Sequence, residues 1–259
     1  MSDLHAGRRD TAGLAETLAT LVGEEAPELV IATGDLAHRG RSEQLAQAHA
    51  LLDGLGRPFL AVPGNHDIPY SFPQRFTQPW QRFEAVFGSV DPTYRSDTLV
   101  VCGLDSVRPW RQQGGRLSTE RLAGVGGVLA NAAPGALRVV ALHHHLAGSP
   151  WRASRKFPLR HRDRALAAFV AAGAELVVGG HIHQASAVEL HEFTALDGAR
   201  SRSLVLATAP GLGRPRPRRM GEAQGAVVYV WETGYLEVVT YLLEPDGFRQ
   251  LARRRFPRH

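Results

Sequence analysis

The chain has 259 residues, of which 44% are hydrophobic and 21% charged, ordinary proportions for a globular protein long enough to bury a sizeable core. No apolar run approaches the ~20 residues that span a bilayer, the first residues lack the basic and apolar regions of a secretory signal, and the single cysteine, Cys102, cannot form an intramolecular disulfide. A cytoplasmic protein is therefore expected. The net charge of +5 is weak support for a nucleic-acid partner, because Lys156 is the sole lysine in a chain crowded with Arg, Ala and Gly.

Asp3 and His5 open the chain with no apolar segment in front of them. Leu14, Leu18, Leu21 and Val22 then recur at helical spacing. ELVIATGD (28–35) reads as a strand ending in Gly34-Asp35, and Leu45, Leu52 and Leu55 predict a helix with Ser42 as its N-cap. PFLAVPGNHD (58–67) is a strand that ends in Gly64-Asn65-His66-Asp67. Cys102 sits in the apolar run TLVVCGL, as a small buried hydrophobe. A helix is expected after Ser118, and LRVVALHHH (137–145) is a strand running into His143, His144 and His145. Leu166, Phe169 and Val170 mark a further helix stopped by Gly173, and ELVVGGHIH (175–183) is a strand followed by His181 and His183.

These strands are short, β-branched and apolar on both faces, and their alternation with helices predicts a largely parallel sheet covered on both sides. The last third changes character. SAVEL (186–190), SLVLAT (203–208), GAVVYVWE (225–232) and LEVVTYLLE (236–244) follow one another without helices, with a turn at Thr233-Gly234, and predict a second sheet beside the first. GRPRPRRMGE (213–222) reads as a surface loop. One domain over 1–259 is expected, with an α/β half (1–184) that carries the polar strand ends and a mostly β half (185–259).

In open α/β sheets ligands bind at the carboxyl ends of strands. Here those ends carry Asp35, Asn65, His143, His181 and His183, and Asp3 and His5 add to them. A lone histidine at such a place is usually a hydrogen-bonded core or surface residue, and His38, His49, His161, His191 and His259 are read that way. A set of Asp, Asn and His without thiolate instead suits Mn²⁺, Fe or Zn²⁺ in a hydrolytic centre. It is too large for one tetrahedral ion and fits two ions ~3.5–4 Å apart that share a carboxylate.

The ordered blocks Asp3-Leu4-His5, Gly34-Asp35, Gly64-Asn65-His66-Asp67, His143 and Gly180-His181-Ile182-His183 resemble the calcineurin-like metallophosphoesterase superfamily, most of all its bacterial cyclic-nucleotide phosphodiesterase-like branch. The resemblance implies a four-layer αββα sandwich of two mixed sheets flanked by helices. It implies that Asp3, His5 and His183 hold one ion, Asn65, His143 and His181 the other, and that Asp35 bridges them. A hydroxide between the ions would attack phosphorus, and His66 would protonate the leaving oxygen, with Asp67 supporting the turn.

Three departures stand out. The first block lacks its strand, so about five to eight apolar residues are expected upstream, and without them Asp3 and His5 would sit on a fraying terminus. His38 stands where relatives often have an Asp that orients the catalytic histidine, so His66 is expected to be positioned differently or tuned less strongly. His143-His144-His145 is not followed by the prolines common in relatives. For substrate, Arg39 matches an arginine that binds phosphate in phosphoprotein phosphatases, with a solvent-facing role as its alternative. His144 is a further candidate contact. In SPWRASRKFPLRHRDR (149–164), Arg152, Arg155 and Lys156 could hold phosphate and Trp151 could stack on a base, or the segment is simply a solvated basic loop. The expected activity is hydrolysis of a small phosphodiester. The alternatives are a nuclease acting on nucleic acid and a non-catalytic scaffold of the same fold; whether the chain forms a homodimer stays open.

Overall fold

In the computed structural model, which describes residues 1–7, 12–147, 156–192, 202–213 and 222–258, regular structure begins with α1 (Ala12–Glu25), β1 (Val30–Thr33), α2 (Ser42–Asp53) and β2 (Phe59–Val62). Then come α3 (Gln74–Thr77), α4 (Gln81–Phe87), β3 (Thr93–Arg95), β4 (Leu99–Leu104), α5 (Thr119–Leu129), β5 (Leu137–Leu142), α6 (Arg162–Ala171) and β6 (Leu176–Gly179). The chain finishes with β7 (Ser186–Glu192), β8 (Arg202–Thr208), β9 (Gly225–Glu232), β10 (Tyr235–Glu244) and β11 (Gly247–Pro257).

The strands pair as β1-β2, as β11-β10-β9, and as a six-stranded sheet in the order β3-β4-β5-β6-β8-β7. In the large sheet β4, β5, β6 and β8 are parallel, with β3 and β7 antiparallel at the edges. Side-chain alternation explains how these sheets stack. Leu99 and Val101 of β4 face one apolar cluster, which holds Leu60 and Val62 of β2 and Val227 and Val238 from β9 and β10. Val100, Cys102 and Leu104 face the opposite way, onto Val125 and Leu129 of α5 and Phe169 of α6. A third cluster packs α1, α2 and Phe83 of α4 against Val30, Ala32, Ala226 and Val239. Three apolar interfaces separate four layers, the sandwich of sheets flanked by helices that the motif pattern implied.

The strands after residue 185 do not all join one second sheet: β9, β10 and β11 form a three-stranded sheet, while β7 and β8 belong to the large one. β8, apolar on both faces, pairs in parallel with the central β6, and β7 caps that edge; β9, β10 and β11 lie across the sandwich. The helix expected from Ser118 has that residue at its N-cap, its hydroxyl accepting from Arg121 N at 3.2 Å. α2 begins at Ser42 itself, with Arg41 at the N-cap position and no side-chain cap.

Residues 1–6 are not frayed. Met1 N–H donates to Ile31 O at 2.8 Å, and Thr33 N–H to Met1 O at 2.9 Å. Asp3, His5 and Ala6 then donate their amides to Gly34, Asp35 and Leu36 carbonyls at 2.7–2.9 Å. Asp3 is completely buried and His5 nearly so, at 0% and 6% exposure. The expected loose terminus is thus corrected: a ladder against β1 and the loop after it fixes both side chains.

Candidate metal centre

Every candidate ligand sits just beyond a strand end or, for Asp3 and His5, on the segment laddered to β1. Asp3 is fixed at one oxygen: Ser2 Oγ donates to Oδ2 at 2.6 Å and His181 N–H at 3.0 Å. Its other oxygen, Oδ1, lies 2.9 Å from His183 Nε2. Asp3, His5 and His183 form one compact group of ligand atoms, and Asp35, His143 and His181 a second, each spanning no more than 4.8 Å. Asn65 Oδ1 joins the second group, 3.2 Å from His143 Nε2, which is also 3.2 Å from His181 Nδ1. Asp35 faces both: Oδ1 is 3.5 Å from His143 Nε2 and Oδ2 is 4.0 Å from His5 Nε2. The structure therefore brings together all seven residues that the motifs singled out.

Asp3, His5, Asp35, His181 and His183 all have positive φ, between 51° and 71°. For non-glycine residues that left-handed backbone costs about 1 kcal/mol or more, and such strain gathers where side chains must converge on a point. Two glycines let the loops touch. A Cβ on Gly64 would lie 2.1 Å from Asp35 N, and one on Gly180 1.7 Å from Ser2 Oγ.

The electrostatics fit cations. Burial disfavours charge on Asp3, but His183 and His143 outweigh it and hold its carboxyl below the usual range; His143 does the same for Asp35. Burial pushes His5 down to about 3 and His181 well below its ordinary value, so both keep a free lone pair. His143 is the exception: Asp35 overcomes its burial and holds it at about 9, a proton standing beside the shared carboxylate. His5 Nδ1, Asn65 Nδ2, His181 Nε2 and His183 Nδ1 are buried without a hydrogen-bond partner. Ionised carboxylates, neutral imidazoles and unpaired buried polar atoms form a donor set that divalent ions would complete.

His66 lies beside this centre, its ring 4.8 Å from that of His5 and nearly perpendicular to it. Its Nδ1 is 2.9 Å from His38 O and 2.8 Å from the Tyr70 hydroxyl. The departure at His38 is thus met by the backbone carbonyl of that residue rather than by a carboxylate. Asp67 braces the turn, accepting from Ala37 N and Gly64 N at 2.7 Å each.

The remaining candidates divide. His144 is buried, with Nδ1 2.8 Å from Ser106 Oγ and its ring 4.7 Å from that of His181. That contact packs it behind a candidate ligand. Lys156 Nζ donates to His181 O, which places one cation of the basic segment against the centre. Trp151, Arg152 and Arg155 lie outside the described residues. Arg39 is exposed, and lines with Arg41, Arg82, Ser42, Ser71 and Tyr70 a polar cavity of about 600 Å³. Ser2, Tyr70 and Ser106 escaped the sequence reading, because single hydroxyl residues in loops carry no spacing signal.

A two-sheet sandwich with Asp, Asn and His donors gathered at strand ends is a hydrolytic metal-site architecture. The calcineurin-like phosphoesterase model matches residues 1–185, and the chain belongs to that family. Over 57 residues the chain is 40% identical to the glycerophosphodiester phosphodiesterase GpdQ of Enterobacter lignolyticus (strain SCF1), a match covering 22% of this chain and 20% of that protein's length. Among solved structures, a purple acid phosphatase from yellow lupin (Lupinus luteus) seeds superposes with a TM-score of 0.68 at 13% identity, over 98% of this chain and 52% of that one. A dimetal phosphatase from Danio rerio gives 0.66 at 14% identity, over 99% and 97%. At these identities the likeness is one of fold. Among the described residues no helix is long and apolar enough to cross a membrane.

Proposed function

We propose that this protein is a two-metal phosphoesterase that hydrolyses a small phosphodiester. The observation that carries the reading is Asp35, one carboxylate with an oxygen turned to each of two buried ligand groups. Asp3, His5 and His183 would hold one ion, Asn65, His143 and His181 the other, and Asp35 both. Mn, Fe or Zn ions there would supply Lewis acidity and lower the pKa of water.

The chain's own residues do the rest. A carbonyl can only accept, so the contact with His38 O keeps a hydrogen on His66 Nδ1; acting as the acid, the doubly protonated ring would give its Nε2 proton to the leaving oxygen and be left neutral with the Nδ1 hydrogen in place. Lys156, beside His181, and Arg39, on the cavity it shares with Tyr70, would add positive charge for the phosphate. A diester is favoured over a monoester because the relative named above is a phosphodiesterase.

Hydrolysis of bis(p-nitrophenyl) phosphate and p-nitrophenyl phosphate, with Mn²⁺ present, tests the reading. Diester turnover is expected to exceed monoester turnover and to fall about 10²–10⁴-fold in His66→Ala. Turnover that survives His66→Ala unchanged would remove the acid role, and monoester preference would remove the substrate class.

A further inference from the structure

Large exposed apolar side chains gather at one end of the molecule. Among the described residues six of them are well exposed, and four of these are aromatic: Tyr70, Phe72, Trp110 and Phe157. Phe72, Trp110 and Phe157 show 83%, 72% and 64% of their surface to water. Tyr70 and Phe72 follow β2, Trp110 follows β4 and Phe157 follows β5. β4 and β5 run parallel, and the candidate ligands Asn65 and His143 follow β2 and β5, so all three loops leave the end of the sandwich that holds the ligand groups. Val188 and Leu251, the two exposed aliphatic residues, lie instead within β7 and β11.

The loops after β2 and β4 are held together as one piece. Arg75 donates from Nε to Pro109 O at 2.8 Å and from Nη1 to Pro69 O at 3.1 Å, with its guanidinium 5.7 Å from the centre of the Tyr70 ring. The Trp110 ring stacks on Phe76 at 4.2 Å, and Phe72 meets Phe76 at 6.3 Å. Phe76 therefore backs both exposed rings, and the shelf ends at Tyr70, whose hydroxyl reaches His66. Cations border it. Arg108 and Arg111 flank Trp110 in the chain, and Arg160 N–H donates to Gly115 O at 2.9 Å, next to Arg116. Burial, and after it the charges of Arg160, Arg116 and Arg111, hold the Arg108 guanidinium below its ordinary value, so the four form one basic patch. None of these four has a carboxylate partner among the described residues, in contrast to Arg121, Arg253 and Arg258.

We propose that this rim docks on an anionic lipid surface, with Phe72, Trp110 and Phe157 seated among the headgroups and the four arginines on lipid phosphates. Two features select that partner. Rings this exposed have no second wall that could clasp a small planar ligand, whereas an interface gives apolar contact to every ring at once. Four like charges without acidic partners repel one another in water, and negative headgroups would offset that repulsion. Docked in this way, the end of the sandwich that carries Asp35 and His66 faces the headgroups.

Co-sedimentation with vesicles tests this, using phosphatidylcholine alone and phosphatidylcholine with about a quarter phosphatidylglycerol, in about 0.1 M salt. The protein is expected to bind the anionic vesicles at least about tenfold more tightly than the neutral ones. Phe72→Ser and Trp110→Ser should each weaken that binding about five- to twentyfold, and Arg108→Gln combined with Arg111→Gln about tenfold. The Tm of Phe72→Ser should match the parent's within about 2 °C, because so exposed a ring adds little to the core, and lost binding in that variant is then not lost folding. Equal binding to both vesicles, no binding, or binding that Phe72→Ser and Trp110→Ser leave intact would overturn the proposal. Tighter binding to a single-stranded oligonucleotide than to the anionic vesicles would assign the rim to nucleic acid and overturn it as well. So would a dimer that Trp110→Ser abolishes, which would assign the rim to a second copy of the chain. Neither sedimentation nor Tm requires turnover, so the outcome stands apart from that of the phosphodiester assays.

Discussion

His66 owes its orientation to an atom that no side-chain substitution removes, the carbonyl of His38, and to one that a substitution does remove, the Tyr70 hydroxyl. One neutral hydrogen bond is worth about 1 kcal/mol net, so Tyr70→Phe is expected to lower kcat about fivefold with little change in KM. A changed KM with kcat intact would instead place Tyr70 in substrate binding. His143 makes a second expectation at this scale. Asp35 holds it at about 9, so below that pH an ion entering the centre must displace its proton. Metal affinity should therefore rise up to tenfold per pH unit toward pH 9, with about one proton released per chain at pH 7. Calorimetry in buffers of different ionisation enthalpy measures that proton, and release that does not depend on His143 would refute the assignment. The identities of the candidate ligands were legible in the sequence because their types and spacing are unusual together. The hydroxyls that orient them were not, since Ser2, Ser106 and Tyr70 act through loop geometry that appears only when distant strands meet.

At the scale of elements, what aims the ligands is the crossing of strand-end loops. Gly34 and Gly64 meet where the loops after β1 and β2 touch, and a methyl group at residue 64 would press on Asp35 N and on its Oδ1, 2.1 and 2.3 Å away. Gly64→Ala should cost roughly 2–3 kcal/mol of stability, a fall in Tm of roughly 5–10 °C. Diester turnover should drop at least about a hundredfold, because Asp35 would no longer face both ligand groups. Turnover within a few fold of the parent would show that the loops can part without harm. Strand and helix positions on the α/β side were readable, since β1, β2, β5 and β6 are continuous apolar runs. The β11 edge was not: Gly247–Pro257 carries Arg249, Arg253, Arg254 and Arg255 and has no continuous apolar run to mark it as a strand. Its strand character comes from pairing with β10, and from ion pairs of Arg253 and Arg255 with the carboxylate of Glu237. Charged edges of this kind also discourage strand-to-strand association between molecules.

The same arginines bear on the whole molecule. Several of the cations behind the +5 charge are engaged within the fold, Arg258 on Glu175 and Arg121 on Asp91 and Asp105 among them, so net charge is a poor guide to a nucleic-acid surface. The ligand groups, by contrast, draw on both sides of the sandwich. Asp35 and Asn65 follow β1 and β2, whereas His143, His181 and His183 follow β5 and β6 of the six-stranded sheet. An ion held by Asn65, His143, His181 and Asp35 ties the two sheets at one end. It would bind the folded chain and not the unfolded one, so at a hundredfold excess over Kd it would add about 2.7 kcal/mol of stability. For a chain of this length that is a rise in Tm of roughly 5–10 °C. Chelation should lower Tm by that amount in a single transition seen equally by far-ultraviolet and tryptophan signals, and added Mn²⁺ should restore it. The Asp35→Asn variant, which keeps the shape but loses the shared charge, should show less than half the shift. Two separate transitions on chelation would mean that the sheets unfold independently and that the ions do not bridge them.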